Sequence, residues 1–352
     1  MYLDWLRGVA VIAMVMTHVT DSWTSPVGKQ SEPYFTLLFI GGLASTSFLF
    51  LAGAATAMSA ASKARREGNV RSGAALARRR GWEIFALGVV FRVQAQVLGF
   101  APLMNIFKVD MLNTMGLAIV AASYVWQWSE DRQTRLITLG MVTAGITMAT
   151  PFVRAVGWLA PLPDPIEAYL RPAGPYAAFP LFPWAGFVFG GAIVGELVDS
   201  TKAASRRAAL LQAAIALVAV AGVWLAWSAS FRPALFPTAS FWHDSPTFFF
   251  IRLGIVALTV PAAWVIERLL PMGWLQPLVT LGRSSLFVYW IHIELVYGVI
   301  AEPLKGTLPL WATVTATAAM SVLLYGVVLL KNRWLERNDL RGPFRILAPV
   351  IR

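Results

Sequence analysis

The chain has 352 residues, of which 57% are hydrophobic and 13% charged, with a net charge of +11 and no cysteine. A globular domain carries about 25% charged residues, so this balance excludes an ordinary water-soluble fold. The absence of thiols excludes disulfides, iron–sulfur clusters, palmitoylated anchors and cysteine nucleophiles together.

The charge that remains is segregated. No charged residue falls between Glu32 and Lys63, between Arg171 and Glu196, or between Arg207 and Arg232. Crossing a hydrocarbon core of about 30 Å takes roughly 20 apolar residues, and these gaps are long enough. In chain order the pattern predicts an all-α, polytopic transmembrane helix bundle of about ten spans. Their centres fall near residues 12, 48, 90, 119, 145, 187, 218, 258, 290 and 321. Proline lacks an amide donor and clashes with the preceding turn. Pro151, Pro161, Pro163 and Pro165 therefore close the fifth span, and Pro271 and Pro277 set off the ninth. Residues 1–335 read as one transmembrane domain and 336–352 as a short basic tail.

Lys and Arg set the expected orientation. Lys63, Arg65, Arg66, Arg71, Arg78, Arg79 and Arg80 follow the second span, and Arg132 and Arg135 follow the fourth. Lys202, Arg206 and Arg207 follow the sixth, Arg268 the eighth, and Lys331, Arg333, Arg337, Arg341, Arg345 and Arg352 the tenth. Nineteen of the 29 basic residues thus lie in alternate loops and the tail. Positive loops stay inside, which makes the number of spans even and both termini cytoplasmic. The same bias explains the net charge without nucleic acid, for which no recognition motif is present. Trp82, Trp126, Trp128 and Trp334 near the inner boundary, with Trp224 and Trp227 near the outer one, read as an interfacial belt. The first span begins almost at Met1 and lacks the features of a cleavable leader. His18, His243 and His292 show no metal-ligand spacing, so no metal is expected.

The first span, LDWLRGVAVIAMVMTHVTDSW, carries Asp4, Arg7, His18 and Asp21 among apolar residues. At 3.6 residues per turn, Arg7 lies on the face of Asp4, Asp21 on that of His18, and all four share one stripe. The two pairs are about 16 Å apart, at 1.5 Å of rise per residue. Ionisable groups inside a span cost about 2.5–3.5 kcal/mol and normally face the protein interior or an aqueous path. Asp4 and Arg7 also fit an anchoring role at the helix end. A carboxylate one turn from His18 is placed to fix its tautomer and raise its basicity, as a general base requires. Arg92 in the third span, Asp110 and Asn113 at the start of the fourth, and Arg283, His292 and Glu294 in the ninth add to the polar set. Two histidines and several carboxylates at similar depth point to one polar chamber. Intramembrane Asp, Glu and His also serve as proton relays, so the residues alone leave open both a catalytic site and a proton-coupled transporter or flippase of a sugar-bearing or acidic solute.

LDWLRGVAVIAMVMTH at 3–18 resembles the opening signature of bacterial heparan-α-glucosaminide N-acetyltransferase-like proteins. Their relatives, the type 3 membrane acyltransferases, share an Arg followed by ten residues and then a His, here Arg7 and His18. The resemblance continues through FLFLAGA at 48–54, VDMLNTMGLA at 109–118, FPLFPWAGFVFGG at 179–191 and LGRSSLFVYWIHI at 281–293. It implies acyl transfer from a cytoplasmic acyl-CoA, usually acetyl-CoA, to a sugar or glycan amine or hydroxyl at the opposite face of the lipid bilayer. A bacterial inner membrane is the location it implies. On this expectation His18 is the general base, Asp21 or Asp110 orients its ring, and His292 joins the catalytic set. Asn113 or Arg92 supplies the oxyanion donor. Asp4, Arg7, Arg92 and Arg283 form the donor-binding set, with no metal and an open oligomeric state.

Overall fold

A backbone in hydrocarbon must satisfy its own hydrogen bonds, and a helix does so within one segment. The computed structural model describes residues 2–99, 103–199, 206–233, 236 and 239–337. Its α-helices are α1 (Tyr2–Trp23), α2 (Glu32–Glu67), α3 (Val70–Gly99), α4 (Met111–Gln127), α5 (Arg132–Ala155) and the single turn α6 (Asp164–Glu167). There follow α7 (Leu181–Asp199), α8 (Arg206–Ser230), α9 (Pro246–Leu269), α10 (Met272–Arg283), α11 (Ser285–Tyr297) and α12 (Leu310–Arg337). Among the described residues there is no β-strand, only the isolated bridges Thr24–Leu308 and Val109–Ala177. The molecule is an all-α, multi-pass helical bundle. Most of the basic tail, with Lys202, lies outside the described residues.

Among the described residues, seven helices are long and apolar enough to cross a membrane: α1, α2, α5, α7, α8, α9 and α12. The other three expected spans exist as helices but fall short of that standard. α3 has 30 residues but carries several charges, and α4 has 17. The ninth is not one helix but two, α10 and α11, of 12 and 13 residues, broken at Ser284. Nor does Pro151 end the fifth span. α5 runs through it to Ala155, and Thr143, Thr147 and Thr150 bond back to carbonyls one turn earlier at 2.8 Å. Such back-bonding keeps hydroxyls satisfied without water.

The chain divides into two compact units, Met1–Ser47 with Ala263–Arg352, and Phe48–Ala262. In the first, α1 packs against α10, α11 and α12. The approach of α1 to α10 is close because glycine faces backbone on both sides. A Cβ on Gly8 would lie 2.1 Å from the Leu278 carbonyl oxygen, and one on Gly282 would lie 1.8 Å from that of Asp4. At the other end of α1, Leu308 N–H donates to Trp23 O at 2.9 Å and the Trp23 indole donates to Val296 O at 3.0 Å. These contacts fix the register of α1 against the last residues of α11.

In the second unit α3 packs along α4, and α7 against α4 and α5. Gly191 and Gly195 of α7 face the backbone of Phe50 and Ala54. The four-residue spacing of Gly191 and Gly195 therefore serves packing within the chain. Trp126, expected in the interfacial belt, is instead 4% exposed. Its indole donates to Glu196 at 2.9 Å, and Arg135 donates to the same carboxylate at 2.6 Å. A buried carboxylate needs such partners, and they hold the tryptophan in the core. Trp82, Trp128, Trp224, Trp227 and Trp334 are exposed as a belt requires.

Candidate active site

Of the expected polar residues, His18, Asp21, His292, Asp4, Arg7 and Arg283 belong to the first unit and Arg92, Asp110 and Asn113 to the second. In the first unit, the last turns of α1 and α11 bring His18, Asp21, His292 and Tyr297 together. Nδ1 of His18 is 2.9 Å from the Tyr297 hydroxyl, which in turn directs its proton to Asp21 Oδ2 at a long 3.4 Å. Asp21 is exposed and lies 3.9 Å from the Lys29 ammonium. The expected contact between Asp21 and the ring of His18 is thus relayed through a phenol. An ionised carboxylate only accepts, so with the phenol proton on Asp21 the His18 ring presents N–H at Nδ1 and a lone pair at Nε2.

His292 is fully buried, and its ring centroid is 5.2 Å from that of His18. Its Nδ1 lies 3.0 Å from the Val288 carbonyl, which fixes the proton on that nitrogen because a carbonyl has none to give. Its Nε2 is buried and has no hydrogen-bond partner. Two imidazoles therefore sit side by side, each with an Nε2 lone pair. A buried acceptor left unmatched marks a place for a donor group. Tyr297 escaped the sequence reading. It lies at the end of an apolar helix and gains its role only through the packing of α11 on α1.

Asp4 and Arg283 meet at the opposite end of α1, with Arg283 Nη2 3.3 Å from Asp4 Oδ2. Arg7 lies one turn further along α1 and is itself engaged in the fold. Eleven residues separate Arg7 from His18, about 16 Å along the helix axis. The first unit thus holds a charged pair at one end of α1 and an imidazole–phenol cluster toward the other.

Arg92, Asp110 and Asn113 form their own assembly in the second unit. Asp110 caps α4, accepting from the N–H groups of Leu112 at 3.0 Å and Asn113 at 3.2 Å. Asn113 returns the bond, its Oδ1 accepting from the Asp110 N–H at 3.3 Å. This capping box satisfies N–H groups that a helix start otherwise leaves open. Arg92 Nε lies 3.2 Å from Asp110 Oδ2, an ion pair whose atoms are not aligned as a hydrogen bond. The local geometry accounts for all three residues as the support of a buried helix start. No group of three or more His, Cys, Asp or Glu able to hold a metal occurs among the described residues.

Two family models match the chain. Residues 1–224 match the one described as heparan-alpha-glucosaminide N-acetyltransferase, catalytic, and residues 136–336 match the one described as OpgC protein. No curated protein matches it. Each model covers more than half of the sequence, and the first spans the helix that carries His18. The chain belongs to the heparan-alpha-glucosaminide N-acetyltransferase-like family of membrane acyltransferases.

Proposed function

We propose that the protein transfers an acyl group, acetyl in the simplest case, from acyl-CoA to a sugar amine or hydroxyl, with His18 as general base. The observation that carries this reading is the hydrogen bond between His18 and Tyr297 beside the buried, unmatched Nε2 of His292. The His18 Nε2 lone pair takes the proton of the acceptor as its oxygen or nitrogen attacks the thioester carbonyl. The carbon–sulfur bond then breaks, and the CoA thiolate leaves with the proton that His18 returns. The products are the acylated sugar and free CoA thiol. Tyr297 and Asp21 hold the ring in place while it carries the proton. His292, a neutral acceptor at Nε2, can take the second N–H of an attacking amine, whereas a hydroxyl has one proton and gives it to His18.

In the same reading, Asp4, Arg7 and Arg283 mark the donor end, and α1 spans the distance from there to His18. The donor enters from the cytoplasm, the acceptor from the opposite face, in a bacterial inner membrane with both termini inside.

The test is release of CoA thiol by the purified protein, given acetyl-CoA and an amino-sugar or glycan acceptor. His18→Ala should lower turnover by about 10²- to 10⁴-fold, the range of a general base, while acetyl-CoA still stabilises the protein thermally. Acceptor-dependent thiol release unaffected by His18→Ala would remove the base from this mechanism. Uptake of a sugar into proteoliposomes without donor consumption would replace the enzyme by a transporter.

A further inference from the structure

Lys331 lies in α12 with 9% of its surface exposed. Its ammonium donates to the Ser284 hydroxyl at 2.8 Å and sits 5.0 Å from the centroid of the Phe287 ring. No carboxylate lies within ion-pair distance of it among the described residues. Asp4, on the helix packed against α10, is paired with Arg283. An ammonium has three N–H donors, and Ser284 takes one of them. Burying this charge without an anion is costly.

Ser284 is also 5% exposed, and it stands at the break between α10 and α11. Its side chain makes no cap bond to α11, so it leaves the first N–H groups of that helix uncapped. The 13-residue α11 starts here, and a helix start presents N–H groups and positive potential to an anion. Ammonium, hydroxyl and helix start thus converge on one point. Arg283, more than half exposed, lies next to it in sequence.

We propose that Lys331 and Ser284 form a phosphate-binding site at the α10–α11 break, and that its occupant is a phosphate of the acyl-CoA donor. The inference rests on the donor reading given above and adds to it residues outside the Arg7 and Arg283 set. Eight residues of α11 separate Ser284 from His292, about 12 Å of helix. The phosphopantetheine arm of CoA is a spacer of this order, so a phosphate held at Lys331 leaves the thioester near the two imidazoles. A phosphodiester headgroup of an anionic lipid offers the same chemistry and is the other source to be separated.

The experiment uses the full-length protein in neutral detergent and follows the unfolding midpoint. The ligands are CoA, dephospho-CoA, pantetheine and phosphatidylglycerol in mixed micelles, added to wild type, Lys331→Met, Lys331→Arg and Ser284→Ala. CoA and dephospho-CoA should stabilise the wild type and pantetheine should not. Lys331→Met should weaken the apparent affinity for CoA at least tenfold, and Lys331→Arg should retain part of it. Where Lys331→Met does not fold, Ser284→Ala removes only the hydroxyl and should weaken affinity several-fold. CoA bound as tightly by these variants as by wild type overturns the site and leaves the donor reading intact. A Lys331-dependent shift with phosphatidylglycerol alone overturns the CoA assignment in favour of lipid. Absence of any CoA effect on the folded wild type overturns the donor reading itself, and the site with it.

Discussion

The Tyr297 hydroxyl lies 2.9 Å from Nδ1 of His18 although 279 positions separate them in the chain. The contact exists because two glycine-lined backbone approaches seat α1 on α10, and the Trp23 indole ties the end of α1 to Val296. With the phenol directed to Asp21, the His18 proton sits on Nδ1, which leaves Nε2 as the nitrogen that the proposed mechanism uses as base.

Tyr297→Phe keeps the ring and removes this bond. Because Tyr297 acts through His18, the variant should lose kcat on the order of tenfold, the lower range for loss of an orienting partner. The KM for the acyl donor should stay within about twofold, since the donor end of α1 is untouched. Steady-state kinetics on the purified protein decide it. A rise in KM with kcat preserved would place Tyr297 in donor binding instead.

Gly282→Ala tests the seating of α1. The added Cβ would fall 1.8 Å from the carbonyl oxygen of Asp4, and backbone cannot move aside as a side-chain tip can. One helix must shift, which costs about 1–3 kcal/mol in a well-packed core. The unfolding midpoint in detergent should therefore fall, and turnover should fall with it as His18 and Tyr297 lose register. Gly273→Ala, on the same helix, meets nothing within 4 Å and is the control. Its midpoint should hold or rise slightly, because alanine is the better helix former. Equal behaviour of the two variants would mean that the close approach does not govern stability.

Much of this architecture was legible before the coordinates. Long uncharged gaps bounded by clustered Arg and Lys give helix positions directly, since both length and charge placement are imposed by the bilayer. The Arg7–His18 spacing was legible because it lies within one helix, where geometry follows from counting. His292 stood out as an ionisable group in an apolar segment. What escaped notice depends on contacts between distant segments. Tyr297 is an ordinary aromatic at a helix end until α11 meets α1. Ser284 gives no glycine or proline signal for the break that it makes. Trp126 looked interfacial beside Trp128, yet only Trp128 faces outward, because Glu196 draws the Trp126 indole inward from 70 positions away. Asp110 and Asn113 stand three residues apart at the start of the fourth span. The spacing is equally that of a capping box, and the structure shows that box closed.

The last prediction concerns the buried carboxylate of Glu196. It is 4% exposed and accepts from Arg135 at 2.6 Å and from the Trp126 indole at 2.9 Å. The Arg135 guanidinium also lies 4.8 Å from the centroid of the Trp126 ring and donates to the carbonyls of Ser129 and Glu130. Arginine suits this position because its planar fork serves several acceptors at once. Glu196→Leu would strand both a guanidinium and an indole N–H in a site with little water. Removing one partner of a buried pair costs about 3–5 kcal/mol, mostly through the charge left behind. Removing both partners leaves no charge to strand, so Glu196→Leu with Arg135→Leu should be more stable than Glu196→Leu alone. A cycle of unfolding midpoints over the four proteins measures that coupling. A double variant as unstable as the sum of the single ones would mean that the pair is not coupled. The cost would then come from side-chain packing, and the inward turn of Trp126 would need another cause.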